Sequence, residues 1–397
     1  MVLLKQIKQL SHEYLDQVIA IRRHLHAHPE LSFKEFNTVE FVRNELMGIG
    51  ISDIVSCTPT GLIALIKGQQ PGTLTVALRA DLDALPIFES TGKEYSSTEP
   101  GVMHACGHDV HTACLLGAAK ILYVLRSFYG GTIKLLFQPG EEVLPGGASL
   151  MIKAGALQDP APHTIFAQHV FPDLEVGKVG FRSGMYMAST DELHVRITGK
   201  GGHAALVGTY NNPLLVAAAL LMALENAFGT GVEHPHPTVL AFGKIAGNGA
   251  TNVIPEEVSM AGTFRTMNES YRTMCHKRMV EIATTVAKNM GAEVEFNILK
   301  GYPFLSNDAQ ATDSAKAAAE AYLGKENVVE LALRMTAEDF SYFSQQLPSC
   351  FYRLGTRNQT KGIVSNVHTP TFDVDENALE IGMGLMAYIA LNELTKK

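Results

Sequence analysis

Two short stretches of the sequence combine residue types that bind metal ions or transfer protons. The first, MHACGHDVHTA, contains Cys106 and His108, and the second, FQPGEE, ends in the adjacent acids Glu141 and Glu142. A thiolate and an imidazole suit Zn²⁺, and further nitrogen and oxygen ligands widen the choice to Mn²⁺, Co²⁺ or Ni²⁺. The pattern therefore predicts a metal centre in which one acid binds metal and the other moves a proton.

Two further histidines are candidate metal ligands. His169 follows the apolar run IFAQ, and His368 lies in VHTP before the last helix. Loops beyond the carboxyl ends of strands form the ligand crevice of an open α/β sheet. Cys106 and His108 are two residues apart, so on an extended segment their side chains are expected to point the same way. The candidate metal ligands are Cys106, His108, Glu142, His169 and His368.

Each candidate also has a less specific interpretation. A lone buried thiol is more often a small hydrophobic residue than a ligand. Two other functions remain open: Cys106 as a nucleophile with His108 as its base, or a binding protein without activity on the same scaffold. The thiol mechanism would leave Glu142, His169 and His368 without a role.

The composition limits the class of protein. The chain has 397 residues, of which 46% are hydrophobic and 18% charged, so we expect a globular protein of two or three domains. The net charge of -8 disfavours nucleic acid as a partner. The sequence contains no run of eighteen apolar residues, so a membrane span is not expected. The five cysteines are an odd number without a CxxC pair. A disulfide framework is therefore not expected, and we expect the protein to be cytoplasmic.

The order of predicted elements suggests two domains. The strand-like runs TLTVALRA, GTIKLLFQ and HTIFAQHV alternate with helical patterns. This predicts an α/β catalytic domain, with a mixed sheet and helices on both faces, over residues 1–186 and 301–397. Residues 187–300 show the order β-α-β-β-α-β, which predicts an inserted α+β domain of the ferredoxin-like type.

Several motifs together resemble the M20 metallopeptidase family. They are LRADLDALP, MHACGHDVH, FQPGEE, QHVFP, GKGGHAA, NVIP and VHTPTFDVDE. The match is closer to the amidohydrolase branch, which contains hippurate hydrolases, N-acyl-amino-acid deacylases and auxin-conjugate hydrolases. The resemblance implies a metal-dependent amidohydrolase. Its substrates would be N-acetyl, N-benzoyl or similar N-acyl amino acids, cleaved to a carboxylic acid and a free amino acid.

The resemblance also implies residue roles in the centre. The five candidate ligands would hold two divalent cations per subunit, Mn²⁺ or Zn²⁺ with Co²⁺ or Ni²⁺ as alternatives, and Cys106 would bridge them. Glu141 would be the general base. The wider family begins its site with an H-x-D ligand motif, whereas this chain has Arg79 at the histidine position. The amidohydrolase branch departs in the same way, so His108 would fill the vacancy and Asp81 would orient the ligands.

The inserted domain would, by the same resemblance, be a lid and dimerisation module, so we expect a homodimer or a higher homo-oligomer. His203 in GKGGHAA would reach the active site of the partner subunit and stabilise the oxyanion. Asn252 and Arg265 would bind the substrate carboxylate, because the guanidinium fork matches two carboxylate oxygens.

Overall fold

The computed structural model of the chain describes residues 2–229 and 231–395. Along the chain, two compact units can be distinguished. The larger unit consists of Met1–Tyr186, Ser306–Ala332 and Asp339–Lys397, and the smaller unit of Met187–Leu305 and Leu333–Glu338. No helix among the described residues has the length and apolar character needed to cross a membrane.

Helices and strands alternate through both units. The helices are α1 (Val2–Ala27), α2 (Phe36–Ile49), α3 (His108–Val124), α4 (Gly147–Lys153), α5 (Pro213–Phe228), α6 (Glu269–Asn289), α7 (Ala309–Leu323), α8 (Ser341–Ser344) and α9 (Asn377–Leu394). The first strands are β1 (Ile54–Thr58), β2 (Gly61–Lys67), β3 (Gln70–Asp81), β4 (Gly130–Gln138), β5 (Thr164–Glu175), β6 (Val179–Phe181), β7 (Gly184–Met187) and β8 (Asp191–Thr198). The later strands are β9 (Gly202–His203), β10 (Thr238–Ala246), β11 (Val253–Ile254), β12 (Glu257–Thr266), β13 (Glu293–Lys300), β14 (Leu305–Asn307), β15 (Val328–Glu330) and β16 (Ser349–Arg357).

The larger unit is built on a mixed sheet. Among the described residues, eight strands form it in the order β1-β2-β4-β3-β5-β16-β6-β15. The central strands β4, β3, β5 and β16 run parallel, whereas β1 and β2 pair antiparallel at one edge and β6 pairs antiparallel with β16. The predicted α/β class with a mixed sheet is confirmed.

The central strands are covered on both faces. Every residue of β4 from Ile133 to Gln138 is buried, whereas a strand with one solvated face alternates buried and exposed residues. Helix α3 contacts α1, α9 and β3, and it is buried on nearly every side. Polar side chains on α3 are therefore held in the interior, where they need partners.

The smaller unit contains an antiparallel sheet in the order β10-β12-β8-β13. Strand β8 alternates buried and exposed residues over its whole length, so one face of the sheet is exposed. Helices α5 and α6 contact the strands of this sheet, and their apolar residues form a core with Leu193, Val195 and Ile197 of β8. The main elements follow the order β8-α5-β10-β12-α6-β13, with the two-residue strands β9 and β11 between them.

A buried cluster of charged side chains fixes the first turn of α3. Arg22 of α1 donates from Nε to Asp109 Oδ2 at 2.8 Å and from Nη2 to Asp373 Oδ1 at 3.1 Å. His26 Nδ1 lies 2.8 Å from the same oxygen of Asp109. Arg22 and Asp109 are fully buried. Because Asp109 directly follows His108, the cluster holds that histidine at the start of α3.

We expect Asp109→Ala to lower the free energy of unfolding by about 3 kcal/mol, because Arg22 would remain buried without its nearest carboxylate. Urea denaturation followed by circular dichroism measures the loss. The control is Lys67→Ala, which removes an exposed ion pair with Asp53 and should lower the free energy of unfolding by about 1 kcal/mol or less. Equal losses in the two variants would contradict the stabilising role of the cluster.

Candidate metal centre

The five candidate ligands lie close together in the larger unit. Cys106 Sγ is 3.5 Å from His169 Nε2 and 3.3 Å from His368 Nε2. Glu142 Oε1 is 3.1 Å from His368 Nε2 and 4.0 Å from His108 Nε2. Two sets of three, Cys106 with His108 and His169, and Cys106 with Glu142 and His368, each have all ligand atoms within 4.8 Å of one another. Residues from distant parts of the chain thus converge on one centre.

A tight turn brings Cys106 and His108 to the same centre. Gly107 has φ +81° and ψ 19°, and His108 is the first residue of α3. The expectation that the two ligands lie on an extended segment is therefore wrong. A Cβ at residue 107 would lie 2.6 Å from Val170 Cγ2, and this backbone conformation disfavours side chains. Glycine is therefore required between the two ligands.

His169 lies within a strand rather than at its end. Strand β5 continues past His169 to Glu175, because β16 pairs with it in parallel over that stretch. The predicted strand HTIFAQHV included His169, and β5 continues beyond that run to Glu175. His169 Nδ1–H donates to the carbonyl oxygen of Val170 at 2.7 Å. Nε2 of His169 consequently presents its lone pair to Cys106 Sγ.

His368 occupies an unusual backbone conformation. Its φ is +62°, a region that few residues other than glycine adopt, and its backbone N–H donates to the carbonyl oxygen of Ala105 at 2.7 Å. The side chain of His368 is 51% exposed, whereas that of His108 is 1% exposed. The centre therefore opens to solvent on the side of His368, and a small molecule can approach from there.

The electrostatics of the centre fit bound cations. Burial, together with the nearby Glu142, raises the pKa of the Cys106 thiol well above its usual range. Burial alone would lower the pKa of His108, but Asp81, Asp83 and Glu142 outweigh it and raise this pKa to about 10. The acidic groups thus outnumber the nearby fixed cations. A divalent cation supplies positive charge, and a thiol that coordinates it loses its proton.

A buried nitrogen at the centre also fits a metal ion. Within the described part of the chain, His108 Nε2 is buried and has no hydrogen-bond partner. Buried polar atoms normally have one, and a bound cation would provide a partner for this nitrogen. Burial and the nearby Arg353 lower the pKa of His169 well below its usual range, which keeps its ring neutral and able to bind metal. The donor set of thiol, imidazole and carboxylate therefore fits divalent cations.

Asp83 supports both halves of the centre. Its Oδ1 accepts hydrogen bonds from His108 Nδ1 at 3.2 Å and from the backbone N–H of Glu141 at 3.0 Å. Its Oδ2 accepts from the backbone N–H of Glu142 at 3.0 Å and from the Ser32 hydroxyl at 2.6 Å. The carboxylate therefore turns Nε2 of His108 toward the centre and fixes the backbone of both acids.

Arg79, which the sequence resemblance places at the first histidine position of the wider family, has three side-chain partners. Its guanidinium donates to Asp81 Oδ2 at 2.6 Å and to Gln138 Oε1 at 2.8 Å. It also donates to Asp339 Oδ1 at 2.9 Å. The backbone N–H of Asp339 in turn donates to Glu141 Oε1 at 3.3 Å. Arg79 thus connects Asp81 with the residue that holds the carboxylate of Glu141.

Sequence reasoning missed these supporting residues. Asp83 was not among the candidate site residues, although Asp81 and Asp83 lie two residues apart at the end of a strand and could have been expected to act together. Arg79 was noted only as a departure from a ligand motif. No local signal pointed to Asp339, because its contacts are made with residues far away in the sequence.

The remaining predicted site residues lie in the smaller unit. The backbone N–H of Ala204 donates to the carbonyl oxygen of Asn252 at 3.0 Å, and β9, which contains His203, pairs with β11. His203 and Asn252 are therefore neighbours, and both are exposed. Arg265 of β12 donates from Nη1 to the carbonyl oxygen of Met335 at 3.1 Å. The roles of these three residues stay predictions.

Comparison with known proteins decides the family. The family described as Peptidase family M20/M25/M40 matches residues 77–392. The chain belongs to this family. The resemblance noted in the sequence is therefore confirmed, and the protein is an M20 hydrolase of the amidohydrolase branch.

Individual relatives cover most of the chain. It is 42% identical to the N-acyl-L-amino acid amidohydrolase of Geobacillus stearothermophilus, over 77% of this chain and 82% of that protein. It is 38% identical to the N-acetyl-L-cysteine deacetylase of Bacillus subtilis, over 91% of this chain and 85% of that protein. The crystal structure of the YXEP protein of Bacillus subtilis, a dinuclear metal binding peptidase of the M20 family, has a TM-score of 0.82 and 34% identity, over 96% of this chain and 99% of that chain.

Neither alternative function is favoured. A nucleophilic thiol needs a lowered pKa, whereas burial raises the pKa of Cys106. A thiol mechanism would also leave Glu142, His169 and His368 without a role, although all three lie at the same centre as Cys106. An inactive binding protein is disfavoured by the enzyme relatives.

We expect Asp83→Asn to lower metal affinity about 10–100-fold, the range typical of groups that orient a metal ligand. In either orientation, the amide NH₂ would face the backbone N–H of Glu141 or Glu142 and repel it. Titration of the metal-free protein with Zn²⁺ measures the affinity. Ser32→Ala removes a single hydrogen bond to Asp83 and should have a smaller effect. Unchanged affinity in Asp83→Asn would contradict this supporting role.

Proposed function

We propose that this M20 hydrolase is a dinuclear metal-dependent amidohydrolase that cleaves N-acyl amino acids to a carboxylic acid and a free amino acid. The observation that carries the proposal is the convergence of a thiol, three imidazoles and a carboxylate beside a second carboxylate, that of Glu141. The names of two relatives, which act on N-acetyl-L-cysteine and on N-acyl-L-amino acids, support this substrate class.

The metal ions would be held by the five candidate ligands, with Cys106 between the two sites. This arrangement is supported by the contacts of Cys106 Sγ with His169 on one side and His368 on the other. When bound, divalent cations polarise an amide carbonyl and lower the pKa of water. Mn²⁺ or Zn²⁺ suits the donor set best, and Co²⁺ or Ni²⁺ is an alternative.

Glu141 is the proton carrier in this proposal. Its carboxylate has a ligand atom within 4.8 Å of those of His108 and Glu142, yet only Glu142 approaches His368 within 3.1 Å. Two fixed contacts hold Glu141: its backbone N–H donates to Asp83, and its Oε1 accepts from the backbone N–H of Asp339. So placed, Glu141 takes a proton from the attacking water and delivers it to the leaving nitrogen.

Three residues of the smaller unit are assigned roles in substrate binding and catalysis on the basis of the family resemblance. Arg265 and Asn252 are assigned to the substrate carboxylate, and His203 to the developing oxyanion in the partner subunit of a homodimer. The exposure of His203 and Asn252 supports roles that need a ligand or a partner. Asp81 is assigned to orienting the ligands, supported by its bonds to Arg79 and His111. The five free cysteines of the described residues support a cytoplasmic protein.

We expect Glu141→Gln to lower kcat about 10²–10⁴-fold with metal content retained, because the amide cannot accept the proton. The assay measures free amino acid released from N-acetyl, N-benzoyl and longer N-acyl amino acids. The matched control is Glu142→Gln in the adjacent residue, which should lose metal as well as activity. Unchanged turnover in Glu141→Gln would remove the assignment of the base, and failure of the wild type to cleave any of these amides would overturn the proposed function.

We expect Arg265→Ala to raise KM for N-acetyl amino acids by about 10-fold or more, since a charged hydrogen bond contributes about 1.5–3 kcal/mol. The corresponding amino acid amides, which lack the carboxylate, should be cleaved as by the wild type. Steady-state kinetics on both substrate series make the comparison. An equal loss on both series would show that Arg265 does not bind the carboxylate.

A further inference from the structure

His111 is a buried histidine that the proposed reaction does not use. It lies on α3, one turn after His108, and its side chain is 1% exposed. It is also grouped with Asp81 and His108 by the distances between their ligand atoms. The contacts of its two ring nitrogens decide whether it binds metal or serves another purpose.

Both ring nitrogens of His111 already have partners. Nε2 lies 2.9 Å from the backbone nitrogen of Val170, which can only donate, so Nε2 accepts. Nδ1 therefore carries the proton and donates to Asp81 Oδ1 at 2.6 Å. His111 thus has no free lone pair for a cation while these bonds persist.

The contact with Val170 leads directly to a proposed metal ligand. The carbonyl oxygen of Val170 accepts the Nδ1–H of His169 at 2.7 Å. Val170 of β5 therefore donates from its N–H to His111 and accepts at its carbonyl oxygen from His169. The ring centroids of His111 and His169 are also 4.6 Å apart, so the two side chains pack against each other.

The sheet explains why a side chain is needed at this place. Strand β3 pairs with β5 from Val76 with Thr164 to Arg79 with Ala167. Val170 lies beyond this pairing with β3, and its N–H donates to the imidazole of His111 instead. The imidazole is fixed in turn by Asp81, whose Oδ2 accepts from Arg79.

We propose that His111 is a positioning residue for the metal ligand His169, acting through the backbone of Val170. Hydrogen bonds run from Asp81 to His111, on to Val170, and from there to the ring of His169. They direct Nε2 of His169 toward Cys106 Sγ, 3.5 Å away. The inference rests on the proposed metal centre, and it assigns to the last histidine of MHACGHDVH a supporting role.

The test is a Co²⁺ titration of the metal-free protein, followed by the thiolate-to-cobalt charge-transfer absorption and the visible d–d bands. We expect the wild type to bind two ions. His111→Asn, which keeps a donor toward Asp81 but is too short for Val170, should weaken one site about 10–100-fold. His111→Gln, whose amide oxygen can reach the N–H of Val170, should weaken that site less.

A matched control separates positioning from general stability. Thr112→Val removes a buried hydroxyl that donates to the carbonyl oxygen of Asp81 at 2.8 Å, and leaves both bonds of His111. It should lower the melting temperature of the metal-free protein without changing Co²⁺ affinity. An effect of Thr112→Val on Co²⁺ affinity as large as that of His111→Asn would overturn the specific role of His111.

The outcomes are distinguishable. Wild-type affinity in His111→Asn, or equal losses in the Asn and Gln variants, would overturn the positioning role while leaving the metal centre in place. A wild type that binds no Co²⁺ would overturn the metal centre and this inference with it. A second measurement needs no variant: in the ¹¹³Cd-loaded wild type, we expect ¹¹³Cd–¹⁵N coupling to His169 and none to His111, and coupling to His111 would make it a ligand instead.

Discussion

The burial of acidic groups around one thiol is the constraint on which the rest of the centre depends. Asp81, Asp83 and Glu141 are at most 6% exposed, and Cys106 is 7% exposed. Removing such groups from water costs several kcal/mol per ion unless opposite charge or hydrogen bonds offset it. Arg79 neutralises part of this negative charge through its hydrogen bonds to Asp81 and Asp339. Cations bound by the candidate ligands would neutralise the remaining negative charge, and the same cations would activate the substrate.

The supports of the ligands explain how such a centre is kept in order. His108 is held by Asp83, and His169 by the carbonyl oxygen of Val170. His368 is fixed through its backbone N–H, which donates to Ala105. The rings of His108 and His169 thus each have a protein partner that sets their direction, and the nitrogen facing the centre would bind the metal. Asp83 follows β3 and Val170 lies in β5, so two of these supports come from neighbouring parallel strands.

Sequence patterns could predict much of this arrangement. Strands β3 and β4 were visible as β-branched runs, and the acids and histidines that follow such runs indicated a site at the edge of an α/β sheet. The prediction was wrong where tertiary contacts set the backbone. Val170 leaves no room for a side chain at Gly107, and β5 extends past the predicted strand HTIFAQHV because β16 pairs with it. The role of Asp83 likewise depends on a distant loop, which no local pattern reveals.

The central proposal is that two cations lie on either side of Cys106, held by imidazole and carboxylate groups, and that the carboxylate of Glu141 lies beside them. Anomalous diffraction from crystals of the Zn²⁺-loaded protein, recorded on both sides of the zinc absorption edge, tests it most directly. We expect two peaks in each subunit, both within bonding distance of Cys106 Sγ, with His169 at one and His368 at the other. Ions bound elsewhere, or no anomalous peak near the thiol, would contradict it.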